Sequence, residues 1–154
     1  MEKNLKEERA ALYARCREVV EERIRHAEQA IQNAKDAAKD DTKSSAGDKY
    51  ETTREMMQQE IARNERQLAE ANKLKYQLDA VPVPSTNETI QLGSIVETSA
   101  GLFFVAIALA TVETAAASFF VISPASPVGQ LLLGKTVGSD LSFNKRSYRV
   151  LAIV

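Results

Sequence analysis

Two narrow apolar seams, each stepping by threes and fours and separated by a run of turn-forming residues, restrict the first half of this chain to a pair of long helices. The first seam runs Tyr13, Val20, Ile24, Ala27, Ile31, Ala34 and Ala38; the second runs Met57, Ile61, Asn64, Leu68, Ala71, Leu74 and Leu78. A strand would need alternation in twos, whereas this spacing draws one thin stripe along a helix, which is stable only against a matching stripe. Between the seams, Asp40-Asp41-Thr42-Lys43-Ser44-Ser45-Ala46-Gly47 is rich in turn formers and predicts an antiparallel hairpin. Arms of roughly 30 to 35 residues at 1.5 Å rise make a rod on the order of 50 Å long, with most of the turn far from any following domain. The alanines of the first seam allow close approach, and a polar Asn64 in the second fixes register at some cost in stability.

Charge divides the chain in the same way. Residues 1–81 carry 16 of the 20 Lys and Arg and 17 of the 21 Asp and Glu, leaving four of each sign for residues 82–154. Val81-Pro82-Val83-Pro84-Ser85 ends the second helix, because proline cannot continue it and the residue before a proline favours extended backbone. The expected organisation is a coiled-coil hairpin over 1–81, with an acidic tip near 40–51, and a small domain over 82–154. In the latter, strands are predicted at Ile90 to Val96, Leu102 to Leu109, Phe119 to Ile122, Leu141 to Phe143 and Tyr148 to Val154. The last two form a hairpin around Asn144. Ser126 and Pro127 start a short helix that runs through Leu133 and stops at Gly134. The fold class is α+β: a helical hairpin followed by an antiparallel sheet packed on one helix.

Several functions are disfavoured at once. The formal net charge is −1 and no basic block stands alone, so bulk-charge binding to nucleic acid is not expected. The apolar run Gly101 to Ile122 carries Glu113 near its centre, and a mid-bilayer charge costs about 2.5 to 3.5 kcal/mol, so buried strands are preferred to a membrane span. The lone Cys16 cannot form an internal disulfide, and the first residues lack an apolar signal core; a cytoplasmic location is the expectation. Gly129 to Thr136 matches the phosphate-loop pattern G-x-x-x-x-G-K-[ST]. However, its Leu131-Leu132-Leu133 centre follows helix-start signals where a flexible loop is needed, so no nucleotide partner is expected. Ser123 and Ser126 have no neighbouring histidine, and His26 lies ten residues from Cys16 on one helix, too far along the axis to share a metal. No self-contained enzyme site is visible.

The acidic turn is the exception that carries chemistry. Asp48 and Glu51 stand three residues apart, with Asp40 and Asp41 on the other arm. Hard cations such as Mg²⁺ are often held by one or two protein carboxylates plus ligands from elsewhere, so this tip could complete a partner's metal site. The same spacing fits a capping box, in which Asp48 accepts from the first amides of the second helix and Glu51 reaches back. Spacing alone does not separate the two.

Taken together, these motifs resemble the Gre transcript-cleavage factors of bacterial RNA polymerase. Those proteins combine an N-terminal antiparallel coiled coil bearing a G-D-x-x-E turn with an FKBP-like domain bearing S-P-x-S-P…L-x-G-K-x-x-G. This chain has Gly47-Asp48-Lys49-Tyr50-Glu51, then Ser123-Pro124-Ala125-Ser126-Pro127 and Leu131-Leu132-Leu133-Gly134-Lys135-Thr136-Val137-Gly138, in that order. It departs from the pattern where Thr52 replaces the usual Asn and where the Asp after the closing glycine stands two places on, as Asp140. The resemblance implies that the FKBP-like domain docks on polymerase through Ser123, Pro124, Ser126, Pro127, Gly134 and Lys135. It also implies that the rod enters the secondary channel, where Asp48 and Glu51 share a second Mg²⁺ with the polymerase and promote hydrolysis of backtracked RNA. The polymerase is then the enzyme, this chain an accessory factor without a cofactor of its own, and nascent RNA an indirect partner. A non-cleaving occupant of the channel, or a coiled-coil adaptor unrelated to transcription, would share many of these features. Prolyl isomerase activity is disfavoured, since so small a domain without tryptophan offers little aromatic pocket.

Overall fold

A computed structural model describes Glu2 to Ser44 and Asp48 to Val154, with side chains for residues 5–39 and 51–154. Helices α1 (Glu2–Ser44) and α2 (Asp48–Asp79) pack together. They are followed by β1 (Ile95–Thr98), β2 (Gly101–Val105), β3 (Ala110–Glu113), β4 (Ser118–Ile122), α3 (Pro127–Leu132), β5 (Asp140–Phe143) and β6 (Arg146–Ile153). The architecture is α+β, as the sequence predicts, and no described helix is long and apolar enough to cross a membrane. Helix α1 runs on through Asp40 to Ser44, into the predicted turn. Nothing in that stretch breaks a helix, because the first glycine comes only at Gly47.

By compactness the chain forms two units, one made of residues 1–18 and 76–154, the other of residues 19–75. In the second unit both predicted seams are present. Val20, Ala27, Ile31, Ala34, Asn64 and Ala71 are buried, and Ile24, Ala38, Met57, Ile61, Leu68 and Leu74 are half-buried. The Asn64 amide donates to the Glu60 carbonyl at 3.0 Å, back along its own helix, so its hydrogen bond is spent locally and not on setting register across the pair.

The first unit is built on a six-stranded sheet of order β3-β4-β2-β1-β6-β5. It is mixed, not wholly antiparallel as predicted, because β4 pairs parallel to β2 with Phe103 opposite Phe120. The cause is a strand that the sequence reading missed. After β2 the chain skips one position, runs back as β3 at the edge, and returns as β4 to fill the gap, antiparallel to β3 and parallel to β2. The crossing segment is held by β4 itself, with Ala106 N donating to Ile122 O at 2.7 Å and Leu109 N to Val121 O at 3.2 Å. Residue 90 is also not in a strand. Ile90 exchanges hydrogen bonds with the loop after α3 (Ile90 N to Lys135 O 2.9 Å, Gly134 N to Ile90 O 2.8 Å), and β1 starts only at Ile95. At the other edge Asn144 and Lys145 both have positive φ, 52° and 65°, which makes the two-residue turn whose twist suits a hairpin. In β6, Val150 and Ala152 oppose Thr98 and Glu97, which leaves Leu151 as the extra residue of a bulge.

Both faces of the sheet are covered. One packs Val96, Phe103, Val105, Val150 and Ile153 with Ile90 and with Leu132 of α3. The other buries Ile95, Phe104, Val112, Phe119 and Val121. There Phe104 shares a crevice with Lys6, Arg9, Ala10 and Tyr13 of α1. Leu5, Leu12 and Cys16 of α1 and Leu78 of α2 are buried in the same unit. Burial pushes the Cys16 thiol up to about 12, with Arg15 acting weakly against it. Polar ties complete this base: Arg9 donates to Gly93 O, the Tyr13 hydroxyl to Leu78 O at 3.1 Å, Arg17 to Asp79, and the Thr114 hydroxyl to Glu8 at 3.3 Å.

Two backbone positions make opposite predictions. Gly93 has φ +94°, and a Cβ there would stand 2.0 Å from the Pro82 carbonyl oxygen. Gly93→Ala should therefore destabilise the chain by about 2 to 4 kcal/mol in urea unfolding. Ala110 holds φ 70° with an exposed side chain. Ala110→Gly relieves about 1 to 2 kcal/mol of left-handed strain and gives back about 0.5 to 1 in unfolded-state entropy, so stability should rise by up to about 1 kcal/mol.

Candidate functional site

Glu51 lies in the first turn of α2 and is exposed. Its carboxylate makes no hydrogen bond or ion pair among the described residues. It lines a polar recess of about 530 Å³ with Thr52, Arg54, Glu55 and Gln58, so a second carboxylate that the sequence reading passed over, Glu55, sits one turn along the same surface. Asp48 opens α2, but its side chain, like those of Asp40 and Asp41, lies outside the described residues. The choice between capping and metal work for Asp48 lies there too. Among the described residues, no group of three or more His, Cys, Asp or Glu is arranged to hold a metal ion.

Some carboxylates of the chain are engaged, while Glu51, like several other exposed glutamates, has no partner among the described residues. Asp79 pairs with Arg17, Glu22 faces His26 at 3.9 Å, and Asp140 accepts two bonds from Arg149, at 2.9 and 3.2 Å. The Arg149 hydrogen bond holds the Asp140 carboxyl below its usual range, and Asp140 in turn raises Arg149.

In the first unit, the segment from Ser123 to Lys135 forms a local scaffold. Ser126 is the N-cap of α3: its hydroxyl accepts from Gly129 N at 3.0 Å and donates to Ser123 O at 2.8 Å, while Pro127 occupies the first turn. Gly129 is required by close approach, since a Cβ there would lie 2.1 Å from Ser123 O. The apparent phosphate-loop pattern thus falls on a helix and its exit, and Gly134 at φ +81° turns the chain out of it. Ser123, Pro124 and Ser126 are half-buried, whereas Pro127, Gly134 and Lys135 are exposed. Leu133 and Val137 flank Lys135 and are 37% and 54% exposed, which leaves an apolar and cationic loop open to solvent.

A third feature becomes visible only once the helices pair. In the second unit a groove of about 650 Å³ gathers Arg23 and His26 of α1 with Arg63, Arg66 and Glu70 of α2. None of these three arginines has an ion-pair partner among the described residues. Their interleaving with acids hides them in a linear reading.

Stability measurements should separate these roles. Ser126→Ala is expected to cost about 1 kcal/mol through loss of the cap. Glu51→Gln should leave the unfolding free energy in urea within about 0.5 kcal/mol of the parent, because the exposed carboxylate has no partner among the described residues. No known family model and no curated protein matches this sequence.

Proposed function

We propose that this chain is an accessory factor of RNA polymerase of the Gre transcript-cleavage type, acting through the carboxylates at the start of α2. The observation that carries the reading is Glu51: an exposed carboxylate in the first turn of α2, beside the chain reversal, with no described partner of its own. Asp79 and Asp140 are tied to arginines, whereas a carboxylate exposed at a helix start without a described partner is available to a group supplied from outside.

In this reading Glu51, with Asp48, offers oxygen ligands of the kind a hard cation takes, and too few to hold one unaided. The shared Mg²⁺, when bound, supplies charge neutralisation at the scissile phosphate. In this reading the paired seams carry the carboxylates on a helix, and the exposed Leu133, Lys135 and Val137 give the FKBP-like part a surface for docking on the polymerase. The unpaired Arg23, Arg63 and Arg66 suit a phosphate backbone lying along the hairpin, which would make contact with the transcript direct.

Purified protein added to a stalled, backtracked polymerase should shorten the transcript from its 3′ end. Asp48→Asn and Glu51→Gln should each return the rate to that of polymerase alone while binding is retained. Binding without shortening by the parent protein would replace this reading with a non-cleaving channel regulator, and absence of binding would leave only the adaptor.

A further inference from the structure

The first unit contains an unassigned crevice of about 520 Å³ where the first turns of α1 meet the proline linker. Lys6, Glu7 and Arg9 line it together with the apolar Pro82, Val83 and Phe104. That volume falls in the range of about 300 to 1,000 Å³ typical of small-molecule sites.

Arg9 is the unusual member. It is half-buried, and burial lowers its pKa. Its one partner among the described residues is the neutral carbonyl of Gly93, although a guanidinium carries five donors. The adjacent Glu8 does not neutralise it, being engaged instead by the Thr114 hydroxyl. The Tyr13 hydroxyl is already donated to Leu78 O, so the guanidinium, with the exposed Lys6 and Glu7 at the rim, is left for a guest. In the same crevice Val83 is 75% exposed, an apolar surface that a ligand would remove from water.

The geometry points to a binding site for a small amphipathic carboxylate, with its anionic end on Arg9 and its hydrocarbon body against Pro82 and Val83. A partly desolvated guanidinium binds a carboxylate through charge-assisted hydrogen bonds, which are roughly twice as strong as neutral ones. The apolar wall selects against small hydrophilic anions.

Octanoate is a suitable probe, titrated into the full chain and followed by methyl resonances and by calorimetry. The site predicts saturable shifts of the Ala10, Val81 and Val83 methyls with Kd on the order of 1 mM, as expected for a ligand of this size. The neutral analogue 1-octanol should bind about tenfold more weakly. Arg9→Gln, which keeps a donor for Gly93 O but loses the charge, should weaken octanoate by about tenfold, and Arg9→Lys should stay within about threefold. Equal binding of octanol and octanoate, unchanged affinity in Arg9→Gln, or shifts confined to other parts of the chain would each overturn the assignment. The wild-type methyl map decides the matter even if Arg9→Gln does not fold.

Discussion

A sheet that is apolar on both faces must be covered on both, and much of this structure follows from how the second face is covered. Ile95, Phe104, Phe119 and Val121 are each no more than 1% exposed on that face, and burying such side chains is worth about 1.5 to 3 kcal/mol apiece. The short α3 lies with the opposite core, so this face depends on the first turns of α1 and the last turn of α2, where Leu5, Leu12 and Leu78 are buried in the same unit. Arg9 on Gly93 O and Thr114 on Glu8 tie that helix to the sheet. The close approach of Pro82 to Gly93 ties the linker to it as well. The start of the chain is therefore part of the sheet's core, although residues 76–154 lie far from it in sequence.

Parts of the fold could be read from sequence. From Val20 onward the first seam lies in the second unit, and the three-four spacing gives its buried and half-buried positions directly. Nearer the start, Leu5, Leu12 and Cys16 also serve the sheet unit; they step by seven, four and four into Val20, so the same spacing reaches them, and the buried stripe there runs through Leu12 and Cys16 while Tyr13 is half-buried. Strand β3, by contrast, was hidden. As an edge strand it buries only Val112, and Thr111 and Glu113 face solvent, so its four residues look like an interruption of an apolar run. Missing β3 meant missing the parallel pairing of β2 with β4, which only a skipped position can produce. The hairpin at Asn144 and the cap at Ser126 were legible because turn and cap chemistry are local.

The candidate site divides along the same line. Ser126 and Pro127 serve local structure that their spacing announces, and Gly129, which makes that turn possible, was overlooked because a helical glycine carries no periodic signal. The groove of Arg23, Arg63 and Arg66 exists only after two helices bring together residues about forty apart in sequence. Glu51 was legible as a residue but not as a role: its sequence position fits a cap as well as a ligand, and it is its exposure without a described partner that favours work outside its own fold.

The central claim is that the start of α2 acts inside the active centre of another machine, and this can be tested by proximity. Cys16 is fully buried, with its thiol pushed up to about 12, so a Glu51→Cys variant takes a thiol-directed photo-crosslinker at position 51 alone. Bound to a backtracked polymerase and irradiated, it should crosslink to the catalytic subunit at the segment that holds the active-site metal. Crosslinks confined to the polymerase's outer surface, in a complex that still forms, would contradict the account.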